Sequence, residues 1–219
     1  MSLELKKRIV TSILLLSLLF LMFSYSFVLI IFSILIGSIS WIEFYALISK
    51  IIKKNDIKSQ ILRFLYKSFS LLYLILLVFF IISVKLINLD LYFALIYSLL
   101  IAIMSDIGGL VIGKIFKGKK LSKISPKKTI SGSLGSFIFS LLLVPFFLDY
   151  FNNYNFLMVI LFTVIISLTA QLGDLLISLL KRKAKVKDTS DLLPGHGGVL
   201  DRVDGIIFAI PVGLLIFSI

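Results

Sequence analysis

The sequence predicts an all-α, polytopic integral membrane protein. Three observations carry that fold class. Hydrophobic residues make up 59% of the 219 positions, above the roughly 45–50% of soluble domains, which includes glycine. Charged residues make up only 16%. Uncharged runs approaching or exceeding the ~20 residues that cross a bilayer recur along the chain. A water-soluble enzyme of ordinary composition is therefore excluded. The chain has no cysteine, which removes disulfide frameworks, thiolate nucleophiles and Cys-based zinc sites.

Residues 9–42 are uncharged throughout, and 9–49 carry one charge, Glu43. That length predicts two spans joined by a tight turn near Ser24, Tyr25 and Ser26. Lys6, Lys7 and Arg8 before an apolar run imitate the start of a secretory signal. A second hydrophobic run follows, in place of a cleavage site and a polar domain, so an uncleaved first span is expected. Further spans are expected at roughly 68–84, 91–113, 129–148, 155–180 and 204–219, the last of them short. The expected total is about seven, in a single membrane domain over 1–219.

The cations then fix an expected orientation. Of the 23 Lys and Arg residues, all but Lys85 fall before span 1 or between spans 2 and 3, 4 and 5, or 6 and 7. This one-sided pattern places the N-terminus in the cytoplasm and argues against a nucleic-acid patch. For the 50–67 group, topology alone is a sufficient reading. The 114–128 and 181–202 groups carry more charge than topology requires. The opposite turns are short and aromatic, as an interfacial belt would be.

Glu43, Asp106 and Asp174 sit inside expected spans, each about six or seven residues, or roughly 9–10 Å, from the basic end. Intramembrane carboxylates are costly and usually face a bundle interior or a wet cavity. A cytoplasm-facing polar cavity is one reading; interfacial or ion-paired acids are the other. Asp174, Ser178, Lys181 and Arg182 follow the i, i+4, i+7, i+8 spacing of one helical face, with Gln171 a turn deeper. An acid and a hydroxyl suit Mg²⁺, and cations above them suit phosphates.

Two loops extend this surface. Residues 187–204 contain Pro194, Gly195, His196, Gly197 and Gly198 between Lys187-Asp188 and Asp201-Arg202-Val203-Asp204. The glycines permit sharp turns and close approach to a ligand; the composition also suits a plain connector, and His196 an ordinary loop histidine. In the other loop, Gly109 and Gly113 share the face of Asp106, giving close helix packing or room for a ligand. Ser125-Pro126-Lys127-Lys128-Thr129 reads as a turn with Thr129 capping the next helix, or as a holder of phosphate.

The stretch Ser178-x-x-Lys181-Arg182, Lys187-Asp188, Pro194-Gly195-His196-Gly197-Gly198-x-x-Asp201-Arg202-x-Asp204 closely resembles the signature of the phosphatidate cytidylyltransferases, or CDP-diacylglycerol synthases. Gly173-Asp174 and Ser125-Pro126-Lys127-Lys128-Thr129 resemble that family too. The resemblance covers roughly residues 100–219; residues 1–100 match only as hydrophobic spans. It implies transfer of CMP from CTP to phosphatidic acid, giving CDP-diacylglycerol and pyrophosphate. It also implies Mg²⁺ dependence, with or without a second cation, and a homodimer in a bacterial cell membrane, its site facing the cytoplasm. Matched by position, Asp174 and Asp201 are implied metal ligands supported by Asp204. Ser178, Lys181 and Arg182 are implied phosphate contacts, and Lys187, Asp188 and His196 complete the catalytic set. Asp106, Lys127, Lys128 and Arg202 are implied substrate-binding residues. Ser131 and Ile177 stand where the family often has Glu. Rival readings are a CTP-dependent lipid-alcohol kinase, a cytidylyltransferase for another lipid, or a transporter, although no convincing internal repeat supports the last.

Overall fold

The computed structural model describes residues 3–87, 89–122, 125–126 and 128–218. Helices α1 (Leu3–Ser24), α2 (Ser26–Ile51), α3 (Ile57–Ile87) and α4 (Leu89–Phe116) come first. After a polar loop come α5 (Ile130–Leu141), the short α6 (Val144–Phe147) and a 3₁₀ turn (Leu148–Tyr150). The chain then forms α7 (Phe156–Lys183), a long loop, α8 (Leu200–Val203) and α9 (Ile206–Phe217). Among the described residues five segments are long and apolar enough to cross a membrane, and Ile9–Ser24 is a shorter apolar helix. The protein is an all-α polytopic membrane protein.

Several boundaries differ from the sequence expectation. Helix α3 begins eleven residues before the expected span at 68 and includes Lys58, Arg63 and Lys67. Charge ends a hydrocarbon span but does not end a helix, so α3 continues past the apolar core. The expected span at 129–148 is broken at Leu142–Leu143, because Pro145 enters α6 at its first turn and cannot continue an i→i−4 ladder from α5. Thr129 caps α5 as expected: its hydroxyl accepts from the Gly132 amide at 3.0 Å.

The chain forms two compact units, each discontinuous in sequence. The first comprises residues 1–87 and 180–203; the second comprises 88–179 and 204–219. In the second unit α4 and α5 meet through small residues. A Cβ built on Gly108 would lie 2.4 Å from the Gly135 carbonyl, and one on Gly135 would lie 2.4 Å from Ile112 Cβ. Gly109 and Gly113 likewise face Ser136, Gly132 and Thr129, so the glycines beside Asp106 serve close helix packing. Buried hydroxyls bind across the contact and on to α7: Ser136 donates to the Ser105 carbonyl at 2.7 Å, Ser140 to Ser167 of α7 at 3.1 Å, and Ser167 to Ser105 at 3.2 Å.

The aromatic turn at 150–156 is only partly an interfacial belt. Tyr150 and Phe156 are exposed, but Phe151 is buried and stacks on Phe217 at 4.2 Å between centroids. Tyr97, Phe147, Tyr154 and Phe162 join that cluster.

The glycine contact between α4 and α5 gives a stability prediction. Gly135→Ala destabilises the protein by ~1–3 kcal/mol, because the added methyl has no room to enter. Leu134→Ala, one residue away and exposed, shifts stability by no more than about 0.5 kcal/mol. Thermal unfolding of the two variants in one detergent checks the contrast.

Candidate active site

In the first unit, helix α7 ends in a left-handed cap. Lys185 has φ +57°, and the amides of Lys185 and Val186 return to the carbonyls of Arg182 and Lys181 at 3.0 Å. This is a Schellman-type arrangement that satisfies the last helical carbonyls. Arg182 reinforces the turn by donating to the Val186 carbonyl at 3.4 Å.

The loop then folds into a tight turn. Leu193 and Gly197 exchange backbone bonds at 2.8 and 3.1 Å, and the His196 amide donates to the Leu193 carbonyl. The turn needs φ of +76° at Gly195 and +83° at Gly197, values that L side chains rarely adopt. Gly198 answers a different need. A Cβ there would lie 1.9 Å from the Thr189 hydroxyl and 2.5 Å from a Glu43 carboxylate oxygen.

Those two contacts identify the centre of the unit. Glu43, on α2 and 5% exposed, accepts four hydrogen bonds from the loop and the start of α8. Thr189 Oγ1 (2.7 Å) and the Leu200 amide (2.8 Å) donate to Oε2; Ser190 Oγ (2.6 Å) and the Val199 amide (3.1 Å) donate to Oε1. Thr189 Oγ1 is also 3.0 Å from Asp201 Oδ2, which accepts from the amides of Thr189 at 2.8 Å and Gly198 at 3.0 Å. Asp201 Oδ1 faces the Lys181 ammonium at 2.6 Å. Burial pushes the Asp201 carboxyl upward, but Lys181 and the two amides outweigh it and hold the group below the ordinary 3.8.

Glu43 is therefore neither exposed to a cavity among the described residues nor ion-paired there: it is buried, and its four recorded partners are neutral donors. It joins the site as a loop clamp that sequence reasoning did not assign. The one available signal was a lone carboxylate in a 41-residue hydrophobic stretch.

Beside the clamp lies a cavity of about 440 Å³ lined by Lys187, Asp188, Asp191, Leu193, Gly195, His196, Gly197 and Arg202. Four expected residues, Lys187, Asp188, His196 and Arg202, thus share one wall. Arg202 donates to the His196 carbonyl from Nε at 3.0 Å and from Nη2 at 2.7 Å. His196 Nε2 lies 3.4 Å from Ser12 Oγ, while its buried Nδ1 has no hydrogen-bond partner among the described residues.

The second unit holds the other expected residues. Asp174 pairs with the Lys128 ammonium and accepts from Ser178 Oγ at 3.3 Å. Gln171, a turn deeper, accepts from Ser133 at 2.6 Å. Asp204 is buried and its carboxylate accepts from the Gly205 amide at 2.9 Å. Asp106 is exposed on α4. Ser131 donates to the Lys117 carbonyl and Ile177 is buried in α7. Lys127 lies outside the described residues. Among the described residues no three acidic or histidine side chains gather at metal-binding spacing.

Two outcomes follow. Glu43→Ala takes the acceptor from the Ser190 hydroxyl and the Val199 and Leu200 amides, while Thr189 keeps Asp201; one unsatisfied buried donor alone costs ~1–3 kcal/mol. Trypsin then cuts faster at Lys185 and Lys187, read by mass spectrometry of digested membranes. For Asp201, a lowered native value means its stabilising effect is complete above pH 3.8 and fades as pH falls through the native value. The stability difference between wild type and Asp201→Asn, measured by acid titration, stays constant down to about that pH and shrinks below it.

Comparison with known proteins places this geometry in a family. Residues 4–219 match the Cytidylyltransferase family. The phosphatidate cytidylyltransferase of Staphylococcus haemolyticus is 43% identical over 122 residues, covering 53% of this chain and 46% of that protein. The protein of the same name from Staphylococcus aureus is 44% identical over 120 residues, with the same coverage. That from Rickettsia bellii is 43% identical over 132 residues, covering 56% and 54%. The chain spans about half the length of the curated relatives it matches. The match across nearly the whole sequence makes the chain a member of the Cytidylyltransferase family.

Proposed function

We propose that the protein is a phosphatidate cytidylyltransferase: it transfers CMP from CTP to phosphatidic acid, giving CDP-diacylglycerol and pyrophosphate. The observation that carries this reading is the cavity lined by Lys187, Asp188, His196 and Arg202 beside the buried Lys181–Asp201 pair. It combines cations for a triphosphate with a carboxylate kept ionised. The named relatives support the same reaction.

In this mechanism an ionised phosphate oxygen of phosphatidic acid attacks the α-phosphorus of CTP. A new P–O bond forms, the α–β bridging P–O bond breaks, and pyrophosphate leaves with the electron pair. The nucleophile is already ionised at neutral pH, so the step needs no strong general base. Lys181, Arg182, Lys187 and Arg202, with Lys127 and Lys128 from the other basic loop, offset the charge that shifts onto the leaving group. Asp188 and His196 orient the nucleotide from the cavity wall, and Asp106 belongs to the nucleotide-binding region. The donor chemistry fits Mg²⁺. Asp174 and Asp201 are hard oxygen ligands, and each now faces an ammonium that a bound ion would displace toward the phosphates. They would hold the ion, supported by Ser178 and Asp204, with a second cation part of the same proposal. When bound, the ion supplies charge neutralisation on the triphosphate.

The same reading has the protein in a bacterial cell membrane with its N-terminus and site facing the cytoplasm, an orientation the one-sided cations support. A homodimer belongs to the same reading and is checked by light scattering in detergent.

Product analysis with labelled CTP and phosphatidic acid tests the activity. CDP-diacylglycerol and pyrophosphate are expected; CDP with a phosphorylated lipid would indicate a kinase. Asp174→Asn and Asp201→Asn each lower turnover by roughly a hundredfold or more and weaken Mn²⁺ binding read by electron paramagnetic resonance. Unchanged turnover and binding in both would sink the metal assignment.

A further inference from the structure

A second cavity, of about 470 Å³, lies within the first unit between α2 and α3, lined by residues apart from the catalytic set. Its α2 wall is Trp41 and Tyr45, one helical turn apart. Its α3 wall runs through Gln60, Arg63, Phe64, Lys67, Ser68 and Leu71, the i, i+3, i+4, i+7 spacing of one face. The lining holds two cations and no acid. Asp56, at the head of α3, attracts Arg63 but lies outside the lining.

Both cations are held in place. The Lys67 ammonium sits 3.3 Å from the centroid of the Tyr45 ring, and the Trp41 indole donates to the Lys67 carbonyl at 3.2 Å. Arg63 Nη2 donates to Asn55 Oδ1 at 3.0 Å and to the Lys54 carbonyl at 3.3 Å. A guanidinium carries five N–H donors and an ammonium three, so these contacts orient the groups without exhausting them.

Depth identifies the ligand. Helix α3 has 31 residues, or roughly 46 Å at 1.5 Å per residue, against a hydrocarbon core of ~30 Å. The surplus lies at the more charged end, since Lys58, Arg63 and Lys67 all fall in its first eleven residues and only Lys85 lies near the other end. Arg63 and Lys67 therefore stand at headgroup level, while Phe64 and Leu71 supply apolar wall. Basic pockets between membrane helices at this depth suit anionic lipid heads. We propose that this cavity binds an anionic phospholipid of the bilayer, with its phosphate on Arg63 and Lys67 and the start of an acyl chain against Phe64, Leu71 and Trp41. This site is independent of the catalytic reading.

The protein carries its own probe, because Trp41 is its only tryptophan. The full chain is reconstituted in phosphatidylcholine bilayers, and phosphatidylglycerol or phosphatidylcholine brominated near the carboxyl end of the acyl chains is titrated in. Brominated phosphatidylglycerol is expected to quench Trp41 at roughly tenfold lower mole fraction than brominated phosphatidylcholine, a preference within the reach of two interfacial cations. Arg63→Gln with Lys67→Gln removes that preference while helicity and thermal midpoint stay unchanged. Equal quenching by the two lipids in the wild type overturns the proposal, whatever the variant does. So does a preference that survives in a folded double variant.

Discussion

An ionised carboxylate on an apolar helix must be met by donors at both oxygens, or its burial is prohibitively costly. Glu43 is met by four, and much of the first unit follows from that requirement. The donors come from Thr189, Ser190, Val199 and Leu200, so the intervening turn must bring both ends of the loop to one point. The space left between them admits only a glycine, Gly198. Thr189 then links Glu43 to Asp201, and Asp201 holds Lys181 at the end of α7. The cavity wall inherits its shape from this chain of bonds. Lys187, His196 and Arg202 lie on segments whose ends are fixed a few residues away.

The second unit meets the same demand with different chemistry. Its helices carry serines and threonines that bond to nearby carbonyls and to each other, as between Tyr97 and Thr163 at 2.5 Å. Such hydroxyls satisfy themselves locally and let backbones approach where glycine removes the side chain. The result is a tightly packed frame beneath Asp174 and Lys128. Small residues and short hydroxyls there do the work that long charged side chains do in the loop clamp.

Much of this was legible in the sequence. Uncharged runs announced the helices, Thr129 announced the start of α5, and the ordered Lys, Asp, Gly and His residues announced the candidate loop. What was not legible depended on partners distant in sequence. Nothing around residue 43 indicates that its carboxylate binds residues 189–200; hydropathy records only that a charge is present. The break before α6 was a local matter that a span-length pattern smoothed over, because Leu142 to Phe147 is apolar and only Pro145 interrupts it. The added turns of α3 escaped notice for the opposite reason: their charges read as a loop although their backbone is helical.

The Glu43 clamp also has a consequence in time. Its donors lie 146 to 157 residues later in the chain. At ~5–20 residues per second of synthesis, α2 emerges on the order of ten seconds before the residues that will satisfy its carboxylate. During that interval the nascent helix carries an acid without its donors, which favours a position near the membrane surface. Docking of the loop ends that state, so the last part of the candidate loop to be synthesised also completes the seating of the second helix.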